Sequence, residues 1–211
     1  MIIIMCGGVY DNFKQHKALT KINGEKLVDR TIRLLKENNI DDIYITATDP
    51  AFNKYNVLKH ENTYKYENGK VKGYWVDAYY PTDKPCIYLH GDVYYTEDAI
   101  KKIVNLNPKV NTMIGNHYAL NKEHKKVGEP FGWIIVDQKK FREAINKCKR
   151  LQDEGKCNRM PIAWELYQVL NGHDVNGFDI STDTYLPISD ITDDIDCPGQ
   201  IKKLEDRINN G

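Results

Sequence analysis

Short apolar runs alternate with amphipathic segments through the first half of the chain. Ile2–Met5 and residues 43–47 and 86–89 have the length and residue types of buried β-strands. Residues 27–38 repeat their apolar positions at helical spacing, and Thr96 can cap a further helix that follows it. This alternation predicts an α/β protein with right-handed crossovers and a mostly parallel sheet.

The second half continues the alternation less regularly. Further elements are predicted there as strands at 111–115, 133–136 and 174–180, and as helices at 139–153, 161–170 and from Pro198 onward. Residues 52–80 are polar and aromatic, and we expect a helix, a short strand near 64–66 and another helix or loop. With no internal repeat or linker, residues 1–211 are interpreted as one domain.

Composition excludes several classes of function. Thirty basic side chains balance 30 acidic ones, so no basic excess indicates a nucleic-acid partner. No apolar run approaches the roughly 20 residues of a membrane span, and the N-terminal run fits a core strand better than a signal peptide. The five cysteines lack disulfide or zinc spacing, which favours a cytoplasmic protein.

Three features could carry chemistry. Gly7 and Gly8 follow the first strand and precede Lys17, as in a phosphate-binding loop, although a tight turn with a solvated lysine has the same pattern. Asp92 follows a central strand, where a carboxylate can hold a divalent cation or simply cap a turn. Asp196 ends an acidic stretch before the last helix, where either role is again open. Together they suggest metal-assisted nucleotidyl transfer.

The chain resembles the nucleotidyltransferase superfamily with the GT-A-type fold, which includes sugar-phosphate, phosphocholine and molybdopterin-directed enzymes. The matching segments are 5–8 (Met-Cys-Gly-Gly), 17–19 (Lys-Ala-Leu), 22–27 (Ile-Asn-Gly-Glu-Lys-Leu), 88–92 (Tyr-Leu-His-Gly-Asp), 129–137 and 194–199 (Asp-Ile-Asp-Cys-Pro-Gly). The resemblance implies a three-layer α/β/α fold with a mostly parallel mixed sheet, like that of nucleoside-diphospho-sugar transferases.

The resemblance also implies roles for individual residues. Lys17, Asp92 and Asp196 would be catalytic, and the two aspartates would bind Mg²⁺ or Mn²⁺. The nucleotide-binding residues would be Cys6, Gly7, Gly8, Lys14, Lys17 and Asp92. Glu129 would contact the acceptor. The family's loop arginine falls on Asn12, with Lys14 close enough to take its place.

The expected function is a Mg²⁺-dependent transfer of a nucleotidyl group from an NTP to a small phosphorylated sugar, polyol or alcohol. Two alternatives stay open: a GT-A glycosyltransferase, although Tyr94 stands where such enzymes usually carry the second Asp of Asp-x-Asp, and an inactive nucleotide-binding domain, because Asn12 replaces the arginine. The sequence predicts no nucleic-acid or membrane partner, and it is compatible with a homodimer. His90 either touches the ligand or packs at the end of its strand.

Overall fold

A seven-stranded sheet organises the protein. The computed structural model describes residues 1–8, 13, 15–60, 63–67, 70–120 and 128–210. In chain order the strands there are β1 Ile2–Met5, β2 Lys21–Ile22, β3 Glu25–Lys26, β4 Ile43–Thr46, β5 Val57–Leu58, β6 Lys65–Glu67, β7 Lys70–Lys72, β8 Cys86–His90, β9 Val93–Tyr94, β10 Thr112–Asn116, β11 Pro130–Ile135, β12 Tyr185–Ile188 and β13 Asp193–Asp194. The α-helices are α1 Leu27–Glu37, α2 Glu97–Asn105, α3 Gln138–Asp153, α4 Ala163–Leu170 and α5 Pro198–Asn210.

The main sheet has the strand order β12-β10-β11-β8-β1-β4-β5. Neighbouring strands pair in parallel except at β11, which runs antiparallel to both β8 and β10. The predicted mostly parallel mixed sheet is therefore confirmed. Because β1, β4 and β8 point the same way, their carboxyl ends share one edge, where open α/β sheets bind ligands.

The two faces of the sheet carry separate apolar cores. Alternation along β1 sends Ile2 and Ile4 into a core shared with α1 and α2, and Ile3 into a core shared with α3 and α4. All three isoleucines are at most 3% exposed. Helices thus cover both faces, which confirms the predicted α/β/α layering. No helix among the described residues combines the length and apolarity that crossing a bilayer needs.

Most predicted elements are confirmed within one to three residues of their predicted bounds. The first helix ends as expected at Asn38 and Asn39, and Asn39 takes the left-handed φ of 61° that terminates many helices. Thr96 caps α2, since its side-chain oxygen accepts a hydrogen bond from the Ala99 amide at 3.0 Å.

The strand predicted at 174–180 is wrong. Its apolar-polar alternation is real, but the Gln168 side chain binds the backbone there, donating to the Asp179 carbonyl and accepting from the Asp179 amide. The strand at this edge is instead β12, which pairs with β10 and has no second neighbour among the strands of the described residues. β12 contains Pro187, and an edge position tolerates a proline because one side of the strand needs no partner.

The segment 52–80 differs partly from its prediction. The short strand is confirmed as β6, and the second helix or loop is the 3-10 helix Trp75–Ala78. The first predicted helix is wrong: residues 52–60, all of them described, contain the end of the 3-10 turn Pro50–Phe52 and the strand β5 instead. Buried Phe52 anchors that turn in the core shared with α1.

Candidate active site

The ends of β1 and β8 lie side by side and form the floor of the site. Met5 pairs with His90 in the parallel register; β8 continues directly into Gly91, and β1 reaches Gly7 after Cys6. A Cβ on Gly91 would lie 2.6 Å from the Met5 carbonyl oxygen and 2.8 Å from the Cys6 Sγ. Only glycine fits that approach, and it brings Asp92 next to the Gly7-Gly8 segment.

Lys17 lies between two carboxylates from distant parts of the chain. Its Nζ donates a hydrogen bond to Asp196 Oδ1 at 2.8 Å and lies 3.4 Å from Asp92 Oδ2. The lysine side chain is only 2% exposed, whereas those of Asp92 and Asp196 are 28% and 61% exposed. A buried ammonium group needs compensating charge, and these two aspartates supply it. One cation is therefore shared by both carboxylates.

A two-stranded ladder brings Asp196 to this place. β13 pairs antiparallel with β9, which begins immediately after Asp92, and the Ile195 amide donates to the Asp92 carbonyl at 3.1 Å. The fully buried Ile195 packs in a small apolar core with Leu27 and with Leu204 of α5. The end of the chain is thus held against the first helix, and its aspartates face the end of β8.

More carboxylates surround the pair on the β11 side. Burial raises the pKa of Glu129, and the negative charges of Asp196, Asp193 and Asp92 raise it further, while Arg159 opposes them. Burial, followed by Asp196, Glu129 and Asp92, raises the pKa of Asp194 to about 8. Burial and the neighbouring carboxylates thus both favour the protonated forms of Glu129 and Asp194.

The donor set fits a hard divalent cation bound together with phosphate. Asp92 and Asp196 already direct oxygens at one positive centre, the Lys17 ammonium. Within the described ranges, no group of three or more His, Cys, Asp or Glu side chains could hold a metal ion by itself. Mg²⁺ commonly uses one or two carboxylates and takes its other ligands from phosphate and water, so two aspartates are a sufficient protein contribution.

A cleft opens beside these residues. Its cavity volume is about 110 Å³, less than the roughly 300–1,000 Å³ of drug-sized ligand sites, so it would hold only part of a nucleotide. Its lining includes Gly7, Gly8, Lys17 and Asp92 together with Cys6, His60, Trp75, Ala78 and His90. Backbone amides and an ammonium group suited to phosphates thus share one cleft with flat aromatic side chains.

The structure brings together most of the residues singled out in the sequence. Lys17, Asp92 and Asp196 are in contact. Cys6, Gly7 and Gly8 share the cleft with Lys17 and Asp92. Glu129 lies close enough for the aspartates to raise its pKa. Lys14 and Asn12 lie outside the described residues, so Lys14 as a nucleotide-binding residue stays a prediction.

The sequence did not predict the contacts that hold the Gly7-Gly8 segment, nor how far the acidic residues near Asp196 are shielded from solvent. His16 Nδ1 lies 3.2 Å from the Gly8 carbonyl oxygen and Nε2 lies 3.1 Å from Asp49 Oδ2, linking the segment to the turn after β4. No local pattern signals a contact across 33 residues. Asp194 belongs to a visible acidic run, but its half-buried position beside β9 follows from the pairing of β9 with β13, which the sequence does not indicate.

Comparison with known proteins places these features in a family. The chain matches the MobA-like NTP transferase domain over residues 2–162. Similar solved structures include a CTP:phosphocholine cytidylyltransferase from Streptococcus pneumoniae (TM-score 0.57, 15% identity, 98% of each chain covered). An inositol-1-phosphate CTP transferase from T. maritima has a TM-score of 0.56 at 11% identity, covering 100% of this chain and 96% of that one.

A third similar structure is the 4-diphosphocytidyl-2C-methyl-D-erythritol synthase from Anaerococcus prevotii DSM 20548. Its TM-score is 0.59 at 12% identity, and the alignment covers 99% of this chain and 97% of that one. A search of curated protein sequences finds no match. At these identities the solved structures establish a shared GT-A-like fold along the whole chain.

Proposed function

The chain belongs to the family of MobA-like NTP transferase domains, and we propose that it joins an NTP to a phosphorylated sugar, polyol or small alcohol with release of pyrophosphate. The observation that carries this proposal is the single cation shared by Asp92 and Asp196 beside the Gly7-Gly8 segment. Such an arrangement suits a reaction in which negative phosphate oxygens must be neutralised while they react.

In the proposed reaction, the backbone amides of Gly7 and Gly8 and the Lys17 ammonium bind the triphosphate. Asp92 and Asp196 would hold Mg²⁺ or Mn²⁺, which supplies positive charge at the α-phosphate when bound. A phosphate oxygen of the acceptor attacks the α-phosphorus, a new P–O bond forms, and the bond to the bridging oxygen of the β-phosphate breaks. That oxygen leaves with the electron pair as part of pyrophosphate.

Lys17 changes partners in this scheme. In the structure it lies between the two aspartates. If those carboxylates held a divalent cation, the phosphates of the nucleotide would take their place beside the ammonium group. The same buried lysine would then interact first with the aspartates and afterwards with the triphosphate.

Glu129 is proposed to bind hydroxyl groups of the acceptor. Its half-buried carboxyl group sits near the aspartates at the start of β11. Two of the similar structures are named for phosphocholine and inositol 1-phosphate as substrates. These compounds and sugar 1-phosphates are the first acceptors to test, and CTP is the first nucleotide.

The test is pyrophosphate release from each of ATP, CTP, GTP and UTP with each acceptor and Mg²⁺. At least one pair should release pyrophosphate, and Asp92→Asn should lower that rate by roughly 100- to 1,000-fold, as loss of a key electrostatic contact does. Asp98→Asn is the matched control, since this exposed aspartate lies on α2 outside the cleft. Full activity in Asp92→Asn, or no release with any pair, would contradict the proposal.

The same assay separates the two alternatives. A glycosyltransferase would consume a nucleotide-sugar without forming pyrophosphate. Tyr94, in the third position of Asp-x-Asp, is 6% exposed and packs with Ile22 and Leu27, so it offers no second carboxylate. An inactive nucleotide-binding domain would bind an NTP in calorimetry with no turnover.

A further inference from the structure

Asp196 lies in an exposed segment between β13 and α5. Its side chain is 61% exposed, and residues 197–199 after it are exposed as well. A segment of this kind has many accessible backbone conformations unless hydrogen bonds restrict them. Asp196 nevertheless directs its Oδ1 at the Lys17 Nζ at 2.8 Å, so its backbone must be held by specific contacts.

The chain before Asp196 is held by the backbone of Asp92. Ile195 is fully buried, and its amide donates to the Asp92 carbonyl oxygen at 3.1 Å. This bond fixes the chain as far as Ile195. It leaves the rotations about the backbone bonds of Asp196 itself undetermined, and those rotations decide where the carboxylate points.

Gln200, in the first turn of α5, restricts those rotations. Its Oε1 accepts a hydrogen bond from the Asp196 amide at 2.5 Å and another from the Cys197 amide at 2.8 Å. The Gln200 amide in turn donates to the Cys197 carbonyl oxygen at 3.0 Å. The two peptide groups that flank the Cα of Asp196 are thus both held by one side-chain oxygen.

Helix capping explains only one of these two bonds from Oε1. Since α5 begins at Pro198, Cys197 is its N-cap residue, and a Gln three residues after an N-cap commonly reaches back to the N-cap amide. The Asp196 amide lies one residue before the cap, outside the helix. Its bond to Gln200 therefore adds little to the helix and instead fixes the residue that carries the carboxylate.

We propose that Gln200 is a positioning residue for Asp196: its side-chain oxygen keeps the carboxylate directed at the cation that Asp196 shares with Asp92. This inference rests on the part of the proposed function in which the two aspartates hold a divalent ion. Groups behind a metal ligand set its orientation and thereby its affinity for the ion. A neutral amide suits this place, because it accepts two hydrogen bonds without adding another negative charge beside Asp92, Asp194 and Asp196.

The experiment compares wild type with Gln200→Met, which keeps the length of the side chain and removes its oxygen. Hydrogen exchange followed by NMR, without metal or nucleotide, should show the Asp196 and Cys197 amides exchanging about 10-fold faster or more in the variant. Titration with Mn²⁺, in which electron paramagnetic resonance detects the unbound ion, should show roughly 10-fold weaker binding. Gln200→Glu keeps an acceptor oxygen and should retain the protection of both amides.

The start of another helix provides the matched control. The Asp137 side chain caps α3 by accepting a hydrogen bond from the Lys140 amide at 2.9 Å. Asp137→Ala should lower Tm, as loss of a helix cap does, and leave Mn²⁺ binding unchanged. Thermal unfolding of every variant checks that it is folded. If Gln200→Met lowers Tm but binds Mn²⁺ as wild type does, Gln200 only caps its helix and the proposal is wrong.

The outcomes are separable from those of the proposed function. If Gln200→Met exposes both amides and weakens Mn²⁺ binding while no pair of NTP and acceptor releases pyrophosphate, the transfer reaction is wrong and the role of Gln200 at the ion site stands. If wild type turns over NTP and Gln200→Met keeps the wild-type affinity for Mn²⁺, only the role of Gln200 is overturned. If wild type binds no Mn²⁺ even with NTP present, both proposals fail.

Discussion

The two sides of the candidate site balance their charges differently. On the β1 side, Asp92 and Asp196 share the buried ammonium group of Lys17. On the β11 side, Glu129 has a raised pKa, as does the nearby Asp194 of β13; burial is the largest cause of both shifts, and the charges of Asp196 and Asp92 add to it. Lys17 compensates the charge of the first pair, whereas Glu129 and Asp194 are groups whose burial favours their protonated form.

This contrast suggests a division of work. If Asp92 and Asp196 hold a divalent ion as proposed, Lys17 would be released to bind the triphosphate. An acceptor that arrives with the nucleotide would meet the carboxyl groups of Glu129 and Asp194, which can bind its hydroxyl groups. Variants on the two sides should consequently affect different steps.

The largest expected effect comes from Lys17→Met, which keeps the length of the side chain and removes its charge. Turnover should fall by roughly 100- to 1,000-fold, because the triphosphate loses a buried positive contact. Steady-state pyrophosphate release measures it. Lys21→Met, at a neighbouring exposed lysine, should stay close to wild type. A Lys17→Met enzyme with wild-type turnover would remove Lys17 from the mechanism.

A smaller and more selective effect is expected from Glu129→Gln. The acceptor KM should rise by about 10- to 100-fold, as for the loss of a hydrogen bond to a charged group, with NTP affinity unchanged. Glu143→Gln, an exposed change on α3, is the control. If Glu129→Gln weakened NTP binding and left the acceptor KM intact, the two sides would not be divided as described.

The smallest effect concerns stability. The raised pKa of Asp194, about 8, means that the folded protein holds this proton more tightly than the unfolded chain does. Stability from this group is full below the unfolded pKa and declines as pH rises toward 8. With a chelator present, Asp194→Asn should therefore raise Tm at pH 8 by several degrees, for a gain of about 1–3 kcal/mol, and change little near pH 4.

The measurement is a pair of thermal melts of wild type and variant at the two pH values. Equal Tm differences at both pH values would show that the folded protein does not bind a proton on Asp194 more tightly than the unfolded chain does. Asp193→Asn, the adjacent residue on β13, serves as the comparison, although its ion pair with Arg207 makes some loss of stability expected there.

How far the sequence predicts the molecule also differs between the two sides. Two strands with plain apolar patterns precede Gly7, Gly8, Lys17 and Asp92. The place of these residues at the sheet edge could therefore be deduced from the order of the predicted strands and helices. The sequence marks Asp196 as an acidic residue before the last helix, but its place beside Asp92 depends on the two-residue pairing of β9 with β13. Pairings that short leave no periodic signal.

The errors have a common physical origin. Residues 174–180 alternate like a strand, but a single side chain, Gln168, satisfies their backbone at Asp179. The real edge strand was obscured by Pro187, which local preference disfavours and an edge position permits. In both places long-range contacts outweigh the local pattern, and such contacts cannot be deduced from the residues of one segment.

The central claim is that Lys17 occupies the place of a divalent cation between Asp92 and Asp196. The most direct test is Mn²⁺ binding to the protein without nucleotide. The electron paramagnetic resonance signal of the unbound ion measures that binding. Lys17→Met should bind Mn²⁺ more tightly than wild type, by about 10-fold or more, because the competing ammonium is gone, and adding Asp196→Asn should abolish the gain. Equal or weaker binding by Lys17→Met would contradict the account.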